Sequence, residues 1–225
     1  MLIQKIHHVA YRCKNAKETV EWYEKHLCMK FVLAIAEDAV PSTGAADPYM
    51  HVFIDAGAGN ILAFFELPNS PAMGRDENTP AWTQHLAFEV ATMDELLATK
   101  AKLEAAGIDV VGVTDHTIFK SIYFFDPSGH RLELACNTAS PAMMQALDTV
   151  KWDMINEWDR TKKAPKHAAW MHDDKGVHDR AQHHDDDLER NPRPQPAQLG
   201  GQCQHGGHGL PHPEPALRCV STHRQ

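Results

Sequence analysis

The chain repeats itself. His8 and His85 lie 77 positions apart, and so do Asn15 and Thr92, and Glu18 and Glu95. The segments around the two histidines, HHVAYRC and QHLAFEV, share the order histidine, hydrophobic residue, alanine, aromatic. A register that keeps a histidine, a helix N-cap and a capping-box acid together restricts the chain to folds built from two copies of one unit. In the first copy, residues 5–13 read as a strand. AKETVEWYEKH follows as an amphipathic helix with Val20, Tyr23 and Leu27 along one stripe, and then come the strands KFVLAIA, MHVFIDAG and NILAFFEL. In the second copy, QHLAFEV is a strand and MDELLATKAKLEAA is a helix closed by Gly107. IDVVGV, SIYFFD and RLELAC are strands, with DPSG as the turn between the last two. The expected fold class is α+β. Two βαβββ modules, residues 3–68 and 81–138, form a paired domain over 1–140.

Beyond this domain, PAMMQALDTVKWDMINEWDRT reads as a third helix, the start of a helical extension over 141–172. From 173 to 225 there is no Phe, Trp or Tyr. Such a segment cannot bury enough apolar surface to offset its chain entropy, so it is expected to be a disordered tail. Its mixture of HHDDD, RPQP and GGQCQHGGHG suggests the hypothesis of an out-of-frame extension past a natural end near residue 172; a clean reading frame on resequencing would exclude it. The formal charge of -8 speaks against nucleic acid as a partner. No run of about 18 apolar residues exists to cross a membrane, and the N-terminus lacks a secretory pattern. The five cysteines make no CxxC pair and read as reduced thiols of a cytoplasmic protein.

The repeat also concentrates chemistry. His8 and His85 fall early on the first strand of each module, and Glu66 and Glu133 on the last. A carboxylate in a strand as apolar as ILAFFEL needs a partner, because an ionised, unpaired one costs several kcal/mol. A divalent ion supplies that partner. Two imidazoles and two carboxylates suit Fe(II), Mn(II), Ni(II), Co(II) or Zn(II). His51, on MHVFID, is a further candidate to line the cleft. His7, His26 and His130 read as solvated surface residues.

The segments HHVAYRC, WYEKHLCMKFV, QHLAFEV and SIYFFDPSGHRLEL resemble the vicinal oxygen chelate superfamily, which includes glyoxalase I, fosfomycin- and bleomycin-resistance proteins and extradiol dioxygenases. The resemblance covers residues 5–137 and implies that the two modules' curled mixed sheets form a metal-binding cleft. It implies that His8, His85 and Glu133 are metal ligands and that Glu66 sits where glyoxalase-like members carry a fourth. It places Arg12 at a substrate-binding position. SIYFFDPSG followed by RLEL is similar to ring-cleaving members, in which a tyrosine ten positions before the glutamate binds substrate; Tyr123 keeps that spacing to Glu133. Their acid–base histidine lies nine before the tyrosine, where this chain has Thr114, so His116, seven before it, is the substrate-site candidate. The leading expectation is an extradiol-type dioxygenase using Fe(II) on a catecholic small molecule, with Tyr123 and Glu66 catalytic. The alternatives are a glyoxalase-like lyase or isomerase using Ni(II), Zn(II), Mn(II) or Co(II), and a non-catalytic binder. A homodimer is expected, with Met143, Leu147, Trp152 and Trp158 as contact residues.

Overall fold

The computed structural model describes residues 2–168. The tail expected over 173–225, and the last residues of the extension before it, lie outside the described residues. The element order is β1 (Val9–Cys13), α1 (Ala16–Leu27), β2 (Lys30–Glu37), β3 (Tyr49–Asp55) and β4 (Ile61–Glu66). The second module follows as β5 (Leu86–Glu89), α2 (Met93–Ala105), β6 (Val111–Asp115), β7 (Phe119–Phe125) and β8 (Arg131–Asn137), with α3 (Pro141–Thr161) last. This is βαβββ twice and then a helix, as the repeat requires. β1 is shorter than expected, since residues 5–8 lie before it.

The helix starts are set locally. The Thr92 side chain accepts from the Glu95 N–H, and the Glu95 side chain returns the bond to the Thr92 N–H, which completes a capping box. At Asn15 only half of the expected box forms: its Oδ1 accepts from Glu18 N at 2.8 Å. α1 buries Ala16, Thr19, Val20, Tyr23 and His26 along one face, the spacing an amphipathic helix demands. His26 is therefore buried, not a surface residue, because it continues that stripe.

Each module forms one four-stranded sheet, in the orders β1-β4-β3-β2 and β5-β8-β7-β6. The first strand of each pairs parallel to the last, and the remaining pairs are antiparallel. Alternation then divides every strand between two faces. One face of each sheet carries Val52, Ile54, Leu62 and Phe64, or Ile122, Phe124, Leu132 and Leu134, and these join α1 and α2 in one core. The two modules thus share a core through their helix-side faces, and their other faces point away from it.

A turn locks the modules together. Asp126, buried, accepts from Tyr23 Oη of α1 at 3.0 Å, from the backbone N–H of Ser128 and of His130 at 2.9 Å each, and pairs with His130 Nδ1 at 2.8 Å. The Lys14 N–H donates to Ser128 Oγ at 3.1 Å. His130, expected to be solvated, instead packs on Phe64 and Tyr11 of the first module. Cys13 and Cys136 are free and buried as expected, whereas Cys28, exposed at the end of α1, is disulfide-bonded, a departure from the reading of all five as reduced. No described helix is long and apolar enough to cross a membrane.

Candidate metal centre

β8 and β7 build the site of the second module. Glu133 points to the face away from the shared core and is nonetheless only 3% exposed. His85, at the mouth of β5, brings Nε2 to 2.9 Å from Glu133 Oε2. The other carboxylate oxygen is held from below. Ser121 Oγ donates to Oε1 at 2.5 Å, and Tyr123 Oη donates to the same atom at 3.2 Å. His116 Nε2 lies 2.7 Å from Tyr123 Oη. Ser121, Tyr123 and Glu133 share one face because Tyr123 pairs with Glu133 and Ser121 with Ala135. The Arg131 guanidinium lies 4.5 Å above the Tyr123 ring, a cation–π contact. Burial first, and then the Glu133 carboxylate, push the Tyr123 phenol up to about 12. Ser121 and Arg131 escaped the sequence reading. Period-two alternation from Tyr123 and Glu133 would have put both on this face.

The first module is built differently. Pairing makes the correspondence definite. Ala87, two residues after His85, sits opposite Glu133; Ala10, two residues after His8, sits opposite Ala63. Ala63 therefore holds the place of Glu133, and Glu66, three residues on, lies on the opposite face. There its Oε2 accepts the Ala16 N–H at 2.6 Å, at the start of α1. Glu66 lines a crevice of about 950 Å³ between α1, β2 and β3, together with Val20, Ala34, Val52 and Pro68. The carboxylate that seemed to need a metal has a helix N-terminus instead.

The face that bears His8 carries imidazole and aromatic rings. His51 stacks on Phe65 with ring centres 3.6 Å apart, and it lies 4.2 Å from Phe53 and 6.2 Å from His8. Its Nε2 is buried without a hydrogen-bond partner. Burial, followed by the neighbouring His8, lowers its pKa. Arg12 shares this face, but its Nη2 donates to the carbonyls of Pro71 at 2.5 Å and Ser70 at 3.5 Å, so the guanidinium fastens the inter-module segment. The four expected ligands are not collected in one chain. Among the described residues no three His, Cys, Asp or Glu side chains form a group that could hold an ion. The reason is architectural: His8 and the pair His85–Glu133 lie on faces that both turn away from a shared core.

Two linked βαβββ modules, each with a histidine at the mouth of its first strand and one with a buried glutamate on its last, define a class of paired-module proteins. The chain belongs to the Glyoxalase/Bleomycin resistance protein/Dioxygenase superfamily, whose family model matches residues 5–134. The metallothiol transferase FosB of Shouchella clausii (strain KSM-K16) is 27% identical over 165 residues, which is 72% of this chain and all of that protein. The crystal structure of a glyoxalase family protein from Enterococcus faecalis is 28% identical, with a TM-score of 0.45 over 60% of this chain and 99% of that one. The fosfomycin resistance protein FosX from Listeria monocytogenes, crystallised with Mn(II) and sulfate, is 18% identical, with a TM-score of 0.43 over 61% and 95%. The expectation of catechol ring cleavage draws no support from these relatives.

Proposed function

We propose that the chain is a divalent-metal-dependent enzyme of the transferase or lyase kind, acting on a small oxygen-bearing substrate at a site shared by two copies. His85 and Glu133 come from one copy and His8 from the other. The observation that carries this is the His85–Glu133 pair, 2.9 Å apart, buried on the carboxylate side and braced by Ser121 and Tyr123, with no third donor among the described residues. A buried carboxylate facing an imidazole is a half-built cation site, and an N, N, O donor set suits Mn(II), Fe(II), Co(II), Ni(II) or Zn(II). The bound ion supplies Lewis-acid polarisation of substrate oxygens. Tyr123, protonated at neutral pH because its pKa is pushed up to about 12, acts as a hydrogen-bond and proton donor. His116 Nε2, 2.7 Å from its hydroxyl, replaces the proton. Similarity to a metallothiol transferase along that protein's whole length supports group transfer. The position of Glu66 at a helix N-terminus speaks against glyoxalase-type ligation by that residue.

A mixing experiment tests the shared site. The variants His8→Ala and Glu133→Gln each lose tight Mn(II) binding. Refolded together in equal amounts, they regain about one quarter of the wild-type sites, because each mixed dimer keeps one intact set. No recovery on mixing, with dimers formed, would sink the proposal. A second reading, extradiol-type ring cleavage with Fe(II), is favoured by the contact between Tyr123, ten residues before Glu133, and His116, seven before Tyr123. Oxygen uptake by iron-loaded protein with catechols tests it, and the absence of uptake would end it.

A further inference from the structure

The crevice of about 950 Å³ between α1, β2 and β3 has an apolar floor. Ala34 and Ala36 of β2 pair with Val52 and Met50 of β3, and all four line it. Two alanines on one face of an edge strand are too short to reach α1, so helix and sheet part here. Phe31 and Met50 are left 39% and 36% exposed. Large apolar side chains in contact with water inside a concave surface are the mark of a ligand site. The wall is charged. Lys17, Val20, Glu21 and Glu24 recur at three- and four-residue spacing, so one stripe of α1 faces the floor. Glu37 and Asp38 close the end of β2, and Glu66 that of β4. Five carboxylates therefore face one cation, Lys17, which pairs with Glu21.

We propose that this crevice binds a small amphipathic cation, with its apolar body on the β2–β3 floor and its ammonium head at the Glu37–Asp38 end. Charge selects the head. The start of α1, which would attract an anion, already gives its Ala16 N–H to Glu66 and its Glu18 N–H to Asn15. Three of the carboxylates are engaged: Glu21 by Lys17, Glu24 by the Phe31 N–H at 3.1 Å, and Glu66 at the helix start. Among the described residues no cation pairs with Glu37 or Asp38, so the negative charge left for a ligand is theirs. Hydrophobic contact alone would take a neutral molecule equally well, and the two carboxylates decide against it. Val52 of the floor alternates with His51 along β3, so the crevice lies on the opposite face of the sheet from His8 and His51. The inference is independent of the shared metal site.

The test is calorimetric titration of the full chain with hexyltrimethylammonium, 1-hexanol and hexanoate, which carry similar apolar bodies under different heads. The cation is expected to bind at least about tenfold more tightly than the alcohol, and the carboxylate not at all. Glu37→Gln combined with Asp38→Asn should erase the preference for the cation and leave the alcohol's affinity unchanged. Ala34→Phe, at an exposed position of β2, fills the floor and should abolish binding of both. A thermal melt verifies that each variant is folded; if Ala34→Phe is not, the paired charge substitution still decides. No binding of the cation, equal affinity for cation and alcohol, a preference that survives removal of both charges, or undiminished binding to folded Ala34→Phe would each overturn the proposal.

Discussion

The two modules have one backbone plan and opposite chemical habits. The second surrounds a single carboxylate with donors: Ser121 and Tyr123 beneath it, His85 before it, and His116 on the tyrosine. The first has alanine at the same place and surrounds it with rings, His51 between Phe53 and Phe65. The second is thus the charged, hydrogen-bonded half and the first the softer, aromatic half. The comparison teaches that a repeat conserves where side chains point more strictly than what they are. A site between such modules can divide its tasks, with charge and proton transfer on one wall and ring surface and imidazole nitrogen on the other.

The sharpest way to break this contrast is to remove the charge. Glu133→Gln keeps the shape of the side chain and is expected to weaken Mn(II) binding by more than about 100-fold, beyond the range of outer partners; titration calorimetry measures it. Removing the brace instead, Ser121→Ala leaves the carboxylate in place but unaligned, and about 10–100-fold is the expected loss in the same assay. A drop as large as that of Glu133→Gln would mean that the serine holds the fold, not the ligand.

Two effects on stability, not on metal binding, set the first module apart. His26 is buried against Trp22 with no partner at Nδ1, and burial, with Lys25 and Lys102 adding to it, lowers its pKa to about 4. The unfolded chain takes up this proton near pH 6.5 and the folded chain only near 4. Stability is therefore full above about 6.5 and falls as pH drops through that window, by about 3 kcal/mol in all. Urea unfolding on either side of the window should show the loss, and His26→Leu should flatten it. The smallest change expected is at Glu66. Glu66→Gln gives up a charge at the start of α1, which costs about 0.5–1 kcal/mol of stability and leaves Mn(II) binding alone. Loss of Mn(II) binding in this variant would restore Glu66 as a ligand.

The architecture was legible because the repeat was written in short-range signals. Histidine, N-cap and capping acid sit within eleven residues of one another in each copy, too close for an insertion to shift them. Thr92 and Glu95 formed their box as the spacing required. The face of Glu66 was illegible for the converse reason. A long loop lies between His8 and β4, and its length does not say whether the strand resumes in even or odd register. A slip of three residues turned a cleft residue into a helix partner. His51 was visible as a candidate, but its isolation inside a stack depends on Phe53 and Phe65 on the same face, which only the pairing reveals. The division of the site between faces was beyond local signals altogether, since it follows from how two modules bury their helices against each other.

The Asp126 turn has a meaning for descent. A duplicated unit begins as two self-sufficient halves, each free to drift. Once a residue in the second half became the acceptor for Tyr23 of the first, neither could be replaced without the other. A chimaera that borrows a second module from elsewhere must bring an acid at this turn or leave a phenol stranded in the core.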